Sequence, residues 1–261
     1  KLIYRGEIDA ALLGRSYLGD VKKFTASMPA TINQMIAARP ATTPIDREQE
    51  LVAWGAALKG GTQQASGNFP FWVGNYMVHR KGGQAGDAGS YMFSVVMGND
   101  AMGATDDFDD PPKLFHASSG LLFARTAGTE YALDARKRWD WHALPGLTEE
   151  LRTDAIPGDA HADQIDGSAY AGMASDGVRG FAAMHYRPAD TQTYASARAD
   201  KAWFFPGDEA IALGSGIARR AAGQGRAILT TLDQTRWAGN LTYSIGGGAQ
   251  TTVTQGAALD Q

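Results

Sequence analysis

One short aromatic run ends in side chains that can bind an acidic ligand. Residues 71–81 read FWVGNYMVHRK and finish with a histidine and two cations, His79, Arg80 and Lys81. A guanidinium binds a carboxylate through two parallel hydrogen bonds, so Arg80 is suited to a ligand that carries carboxylates. A lone histidine on a strand is more often a packed or surface residue than a catalyst. A solvated basic strand end explains the same residues equally well.

A second candidate is the acidic stretch at 106–112, which reads DDFDDPP. Carboxylates such as Asp107 and Asp109 can shape a polar site, or they can hold a hard cation such as calcium through oxygen ligands. Their spacing matches no known calcium loop, so a solvated turn is the first interpretation and a structural calcium ion the second. The chain has no cysteine, which excludes thiolate metal sites, and its histidines show no metal-ligand spacing.

Aromatic side chains offer a third kind of contact, because the apolar face of a sugar ring can stack on them. The run at 139–148, WDWHALPGLT, contains Trp141 just before a proline-glycine turn. An aromatic-rich strand end entering a turn accounts for this run without any ligand. The run at 201–217, KAWFFPGDEAIALGSGI, predicts two buried strands joined by a tight acidic turn.

These runs together resemble polysaccharide lyase family 8, which includes hyaluronate, chondroitin AC and xanthan lyases. Residues 201–217 are similar to a Lys-Ser-Trp-Phe-Phe-Phe-Asp-Asp-Glu-like run that leads into a Leu-Gly-x-Gly-Ile-like run. Residues 139–148 resemble an Asp-(Trp/Tyr)-x-x-Leu-Pro-Gly-Thr-Thr-like run, with Leu147 in place of one threonine. Residues 172–184 and 230–234 resemble two further blocks, and all the blocks occur in the family's order.

The resemblance implies an enzyme that cleaves an acidic, uronate-containing polysaccharide by β-elimination. In that reaction a base removes the C5 proton and the 4-O-linked sugar leaves, so that an unsaturated ring remains. Neutralising the uronate carboxylate stabilises the charge that develops. His79 and Arg80 match a Met-Asp-Arg-x-x-His-Arg-like strand, whose Asp and Arg fall here at Asn75 and Tyr76. The implied substrate-binding side chains are His79, Arg80, Asp107, Asp109, His116 and Trp141.

The family's main catalytic groups are an Asn and a His/Tyr pair in a helical toroid that precedes the β region. The resemblance therefore implies that these groups lie outside this chain. The toroid ends in an Arg-Gly-Arg-x-Ile-Ser-Arg-like segment, and here Arg5-Gly6 matches its beginning. We predict Arg5 as a catalytic side chain, with Arg15 as a substitute for an arginine that the pattern has lost.

Hydrophobic spacing and turn residues predict a mainly β chain, with a large antiparallel β-sandwich (the family's supersandwich) preceded by a short helical segment. The helical segment, residues 1–60, would be the end of a toroid-like domain. It includes helical composition from Glu7 and a helix begun by Thr43 and Pro44. Residues 61–261 would form the sandwich, which is expected to continue beyond the last residue. The predicted strands are 71–80, 91–97, 121–125, 180–186, 201–205, 211–217, 227–233 and 240–245.

Composition limits the remaining functions. The 261 residues carry a net charge of −4, which disfavours a general nucleic-acid binder. No apolar run approaches the roughly 20 residues that span a bilayer. The expected partners are thus an acidic polysaccharide and a helical domain, in the same protein or in a separate chain. The expected location is secreted or periplasmic, and the alternative function is a noncatalytic carbohydrate-binding or scaffold domain.

Overall fold

The structure is a computed structural model that describes residues 2–5, 7–12, 21–39, 42, 46–58, 65–82, 89–100, 115–156, 168–190 and 193–255. At the N-terminus, strands β1 (Ile3–Tyr4) and β2 (Glu7–Ile8) form an antiparallel pair, and a 3-10 turn follows at Ala10–Leu12. Two helices come next, α1 (Val21–Ala37) and α2 (Glu48–Leu58). These helices confirm the predicted helical pattern in this part of the chain, while the cap proposed at Thr43 and Pro44 lies outside the described residues.

The predicted helical structure from Glu7 is wrong. The chain reverses there, because Arg5 adopts a left-handed backbone conformation with φ of 49° and allows β2 to pair with β1. The Asp9 carboxylate, fully buried after β2, then accepts a hydrogen bond from Arg125 at 2.8 Å. A helical preference is worth only tenths of a kcal/mol per residue, and tertiary contacts such as this one routinely override it.

The first large sheet has four antiparallel strands in sequence order. They are β3 (Gly67–Phe71), β4 (Tyr76–Lys81), β5 (Tyr91–Met97) and β6 (Ser119–Arg125). The predicted strand 71–80 is divided by a 3-10 turn at Trp72–Gly74. Asn75 ends that turn with φ of 45°, a conformation that asparagine tolerates better than most residues.

A short helix and a short strand connect the two large sheets, α3 (Leu133–Arg136) and β7 (Thr148–Glu150). The second sheet contains β8 (Ala171–Ser175), β9 (Gly180–Tyr186), β10 (Ala197–Phe205) and β11 (Ile211–Arg219), all antiparallel and in the order β11-β10-β9-β8. Strands β7 and β8 are not among the predicted strands. Both are short, and β8 is rich in small residues that carry little strand signal.

The two sheets pack face to face around an apolar core. Buried residues alternate along β10, so that Ala199, Lys201, Trp203 and Phe205 point inward. The first sheet contributes buried residues of β4 and β5, and the core they form together is Met77, Val95, Met97, Ala182, Met184, Tyr186, Trp203 and Phe205. Alternation of this kind defines a sheet with one buried face, which confirms the predicted antiparallel sandwich.

Three further strands lie near the C-terminal end. Strand β12 (Ile228–Thr230) pairs with β7, and β13 (Leu241–Tyr243) pairs with β14 (Thr251–Val253). The pairing of β12 with β7 brings the sequence around 230 beside the proline-glycine turn, where the Gly146 amide donates to the Thr231 carbonyl at 2.8 Å. Among the described helices, none combines the length and the apolar character that crossing a membrane requires.

Candidate functional site

The predicted site residues fall at opposite ends of the first sheet. Arg80 lies at the end of β4, opposite Met92 at the beginning of β5. His116 instead precedes β6, whose first residue pairs with Met97 at the end of β5. Asp107 and Asp109 lie outside the described residues, in the same β5–β6 connection as His116.

Arg5 is held where β1 meets the first sheet. One guanidinium nitrogen, Nη2, donates to the Ser90 hydroxyl at 2.8 Å, and the Arg5 Cζ lies 5.6 Å from the centre of the Tyr4 ring. The Tyr4 hydroxyl is itself 3.0 Å from the Ser90 hydroxyl and donates to the Thr126 carbonyl. Arg5 is half-buried, so part of its guanidinium is accessible to a ligand. An anchored guanidinium can bind a carboxylate. Its catalytic role stays a prediction.

Arg80 lies inside the protein, on the same tyrosine ring. Its Cζ is 5.4 Å from the Tyr4 ring centre, and Nη1 donates to the Ile3 carbonyl at 2.8 Å. Only 3% of the residue is exposed, and burial lowers the pKa of Arg80 to about 10. In this arrangement Arg80 links β1 to β4. Its predicted contact with substrate stays a prediction.

His79 is also buried, and it connects the two sheets. Its Nε2 is 2.7 Å from the Gly207 carbonyl in the turn between β10 and β11. The imidazole stacks between the rings of Tyr91 and Phe205, whose centres are 5.7 Å and 5.1 Å away. Burial lowers the pKa of His79, so the ring is neutral near pH 7 and suited to this packed position. A substrate-binding role for His79 stays a prediction.

His116 occupies a closed aromatic pocket at the other end of the sheet. Its ring meets Phe115 edge-on at 4.7 Å and lies 6.2 Å from Tyr194, and 2% of the residue is exposed. Burial, together with the positive charges of Arg152 and Lys201 nearby, lowers the pKa of His116 to about 3. Its Nδ1 has no hydrogen-bond partner in the structure among the residues described. A neutral imidazole with one unused nitrogen can accept a hydrogen bond from a donor group, but the His116 ring is not open to solvent here.

A polar cluster beside His116 was missed by the sequence analysis. The His142 imidazole is bound on both sides, at 2.8 Å by the Asp140 carboxylate and at 2.7 Å by the Asp154 carbonyl. Arg152 forms two hydrogen bonds with the Asp154 carboxylate, and its Cζ lies 4.2 Å from the Tyr194 ring centre. In the sequence, the spacing of Asp140 and His142 was the one signal for this cluster. The other members, from residues 152–194, belong to loops that carry no motif.

Trp141 packs against a second apolar cluster, which is separate from the core between the two sheets. Its ring meets Trp139 edge-on at 5.5 Å, and it is half-buried against the cluster that contains Phe123 and Leu144. Part of its surface therefore faces solvent, as a saccharide contact needs. Its predicted role stays untested.

Lys201 is the first residue of the run at 201–217 that resembles the family. It links its own strand, β10, to two other segments. Its Nζ donates at 2.6 Å to the carbonyls of Gly120 and of Gly146, which belong to β6 and to the proline-glycine turn. Burial lowers the pKa of Lys201 to about 7. Burial raises the pKa of the nearby Glu149, whose carboxylate accepts from the Tyr186 hydroxyl at 2.8 Å. These contacts position the turn that carries Trp141 and His142.

No group of three or more histidine, aspartate or glutamate side chains in the described parts of the chain is arranged to hold a metal ion. The acidic stretch with Asp107 and Asp109 is not among those parts. A structural calcium ion in that stretch therefore stays a prediction.

Comparisons with known proteins agree with this architecture. Residues 66–261 match the model of polysaccharide lyase family 8, super-sandwich domain, and the chain belongs to this family. Chondroitinase-AC of Pedobacter heparinus is 29% identical over 165 residues, which are 63% of this chain and 21% of that enzyme. A solved structure of chondroitinase AC lyase, studied in complex with oligosaccharides, superposes with a TM-score of 0.70 at 23% identity.

The chain corresponds to a minor part of these relatives. The superposition covers 96% of this chain and 34% of the solved chondroitinase AC chain. At that identity the solved structure shows the shared fold. The predicted family and the predicted sandwich are thus confirmed, and the activity of a whole protein is a separate question.

Proposed function

We propose that this chain is the β-rich part of a polysaccharide lyase that cleaves an acidic, uronate-containing polysaccharide by β-elimination. The observation that carries the proposal is the family's super-sandwich domain, matched over residues 66–261. Chondroitinase-AC of Pedobacter heparinus is similar to this chain, so a glycosaminoglycan is the first substrate to test. The enzyme would act outside the cytoplasm, where such polymers occur.

Arg5 is the side chain of this chain that we place at the reacting sugar. Its guanidinium is anchored by Ser90 and stands on the Tyr4 ring, which fixes its direction. A fixed positive charge beside the uronate carboxylate would stabilise the charge that develops when the C5 proton leaves. The proton acceptor would come from a helical domain, either in the same protein or in a separate chain.

The other predicted residues would act at two levels. Trp141, which is half-buried, would contact a sugar ring directly. His79, Arg80 and His116 are buried, so in this proposal they support the ligand-binding surface from within. Asp107 and Asp109, in the same β5–β6 connection as His116, would contribute carboxylates to the ligand-binding surface.

The test is incubation of the full-length gene product with hyaluronan, chondroitin, xanthan and alginate. The unsaturated product absorbs ultraviolet light, so its release can be followed continuously. We expect a rise with at least one of these acidic polymers and none with neutral dextran. Absence of product with all four would overturn the proposal.

A noncatalytic carbohydrate-binding or scaffold domain is the second candidate. It is favoured by the burial of His79, Arg80 and His116, because a packing role needs no reaction. It requires no proton acceptor at all. Retention of a polysaccharide by the full-length protein without any unsaturated product would establish this function in place of the first.

A further inference from the structure

A cavity lies between the end of α3 and the segment 234–237, which follows β12. Its volume is about 330 Å³, and the residues that line it include Arg138, Trp139, Gln234, Arg236 and Trp237, so we call it the Trp237 cavity. Small-molecule sites in proteins usually measure about 300–1,000 Å³, so the Trp237 cavity has room for a small ligand. Arg138 and Trp237 belong to none of the runs that resemble the family.

Contacts between distant parts of the chain hold the walls of this cavity in place. Trp139 donates from its Nε1 to the Gln234 carbonyl at 2.8 Å, and the Asp140 amide donates to the Gln234 side-chain oxygen at 2.5 Å. Arg236 forms an ion pair with Asp134 of α3. A preformed cavity of this kind binds a ligand without the cost of ordering its walls.

The Trp237 indole is held in one orientation. Its Nε1 donates to the Gly239 carbonyl at 2.6 Å, and the Gln255 side-chain amide donates to the Trp237 carbonyl at 2.9 Å. The residue is half-buried, so part of its surface is accessible. Because the indole N–H already has an acceptor, the ring offers a ligand its apolar faces, which suit the apolar face of a sugar.

Arg138 supplies a cation to the same cavity. The residue is exposed, and no hydrogen bond or ion pair to it occurs among the residues that the structure describes. Arg236 differs, because it is paired with Asp134. An accessible guanidinium can bind a carboxylate or a sulfate through two parallel hydrogen bonds. An aromatic face beside such a cation matches a sugar that carries an anionic group.

The cavity also adjoins the tryptophan that the sequence predicts as a sugar contact. Trp139, which lines the cavity, meets the Trp141 ring edge-on, and the two ring centres are 5.5 Å apart. Gln234 links the same region, since its Nε2 donates to the Asp140 carbonyl at 3.1 Å. A saccharide chain that contacts Trp141 is therefore close enough to continue into the Trp237 cavity.

We propose that the Trp237 cavity binds one sugar unit of an acidic saccharide. Trp237 would stack on the ring of that sugar, and Arg138 would bind its carboxylate or sulfate. This inference rests on the proposed function for the class of ligand. It gives the two residues a task that differs from the one at Arg5, because they would hold a part of the polymer that does not react.

The experiment measures saccharide binding to the 261-residue chain by calorimetry. The probes are the tetrasaccharides of hyaluronan, of chondroitin sulfate and of N-acetylglucosamine, which carry carboxylates alone, carboxylates with sulfates, and no charge. The test variants are Trp237→Ala and Arg138→Gln. Their matched controls are Trp72→Ala, at an exposed tryptophan before β4, and Arg179→Gln, at an exposed arginine between β8 and β9. Thermal unfolding checks that every variant folds.

We expect the unmodified chain to bind the acidic tetrasaccharides more tightly than the neutral one. Trp237→Ala should weaken acidic binding about tenfold, the cost of losing one central aromatic contact. Arg138→Gln should remove the preference for acidic over neutral saccharide, and both controls should bind like the unmodified chain. Effects of the controls equal to those of the test variants, or no binding of either acidic probe by the unmodified chain, would overturn the site.

Lyase assays on the full-length gene product separate this result from the proposed function. If both stand, Trp237→Ala and Arg138→Gln should raise KM more than they lower kcat, because the residues hold a sugar that does not react. Product formation with an unchanged KM in both variants rejects the cavity alone. Binding that depends on Trp237 and Arg138, without product from any acidic polymer, rejects the lyase alone.

Discussion

Asp9 and Arg125 form an ion pair that is shut off from solvent on both sides. The Arg125 Nη2 lies 2.8 Å from the Asp9 Oδ1, and the exposed fractions of the two side chains are 2% and 0%. Burial by itself would raise the pKa of Asp9, but the charge of Arg125 and hydrogen bonds from Arg125 and Tyr76 outweigh it and lower this pKa. The pair thus fixes the N-terminal segment, and Arg5 with it, against β6.

Removing one member of this pair should be costly. We expect Asp9→Asn to lower the free energy of unfolding by about 3–5 kcal/mol, because it leaves the Arg125 charge buried without a carboxylate. The double variant Asp9→Asn with Arg125→Met should lose clearly less than the sum of the single variants, because both charges are gone. Urea unfolding of the three variants measures this. Additive losses would contradict the interpretation.

Gly146 allows the proline-glycine turn to pass close to β6. Its φ is 82°, and a Cβ there would lie 2.5 Å from the Leu122 amide nitrogen. Gly177 has a similar φ of 90°, yet a Cβ on it would meet nothing within 4 Å. The two glycines thus differ in the space around them and hardly at all in backbone conformation.

Alanine substitution at the two positions should therefore give different results. We expect Gly177→Ala to cost about 1–2 kcal/mol for the left-handed conformation alone. Gly146→Ala should cost several kcal/mol, because the clash is with backbone atoms that cannot rotate away. Thermal unfolding of both variants decides this, and similar losses would show that the turn can move away from β6.

The strands were predictable because their pattern is local. Strands β5, β9 and β11 begin where the sequence indicated, because apolar runs there are bounded by turn residues. The prediction that the second strand of the run at 201–217 is buried is wrong, because β11 is exposed along nearly its whole length. The N-terminal hairpin was not predictable. Its composition favours a helix, and the contact that decides its structure joins Asp9 to Arg125, far along the chain.

The residue types of the candidate site were also easier to predict than their environment. Nothing near His79 indicates that Gly207 will bind its Nε2 or that Phe205 will cover its ring. The contacts of Lys201 could not be predicted for the same reason, because its carbonyl partners Gly120 and Gly146 come from two other segments. Burial is decided by such distant neighbours. Sequence spacing alone therefore indicated which chemical groups the site contains, but not how exposed they are.

Lys201 should make stability depend on pH above neutrality. An unfolded lysine holds its proton up to about pH 10.5, whereas burial lowers the pKa of folded Lys201 to about 7. Between these values the unfolded state binds more protons, so the contribution of Lys201 to stability rises with pH from about 7 to about 10.5 and is constant below pH 7. Lys201→Met should remove this rise in urea unfolding curves, and Lys137→Met, at an exposed lysine, should keep it. A rise that persists in Lys201→Met would exclude Lys201 as its source.

His116 should make stability depend on pH in the acidic range. Its folded pKa is about 3 and its ordinary value 6.5, so below about pH 6.5 the unfolded state takes up a proton that the folded state does not. Stability should then fall as the pH is lowered from about 6.5 to about 3, by up to about 1.4 kcal/mol per pH unit from this group. His116→Gln should have a shallower fall than the unmodified chain. The exposed His185 is the control, and His185→Gln should leave the fall nearly unchanged.

Arg5 permits a test of catalysis that leaves the backbone undisturbed. Its φ of 49° suits glycine better than arginine, so Arg5→Gly should remove the guanidinium without straining the chain. In the full-length product we expect Arg5→Gly to lower kcat about a hundredfold, the size of effect seen when one group that stabilises developing charge is lost. The melting temperature should change little.

Arg47 provides the matched control for this change. It has a φ of 60° as well, but it lies just before α2, and its exposed side chain pairs with Glu50. Arg47→Gly should therefore relieve the same backbone conformation and leave kcat unchanged. If both variants lose activity equally, or if Arg5→Gly keeps full activity, then Arg5 does not contact the reacting sugar. An intermediate rate in Arg5→Lys would show that positive charge at this position contributes even without the planar guanidinium.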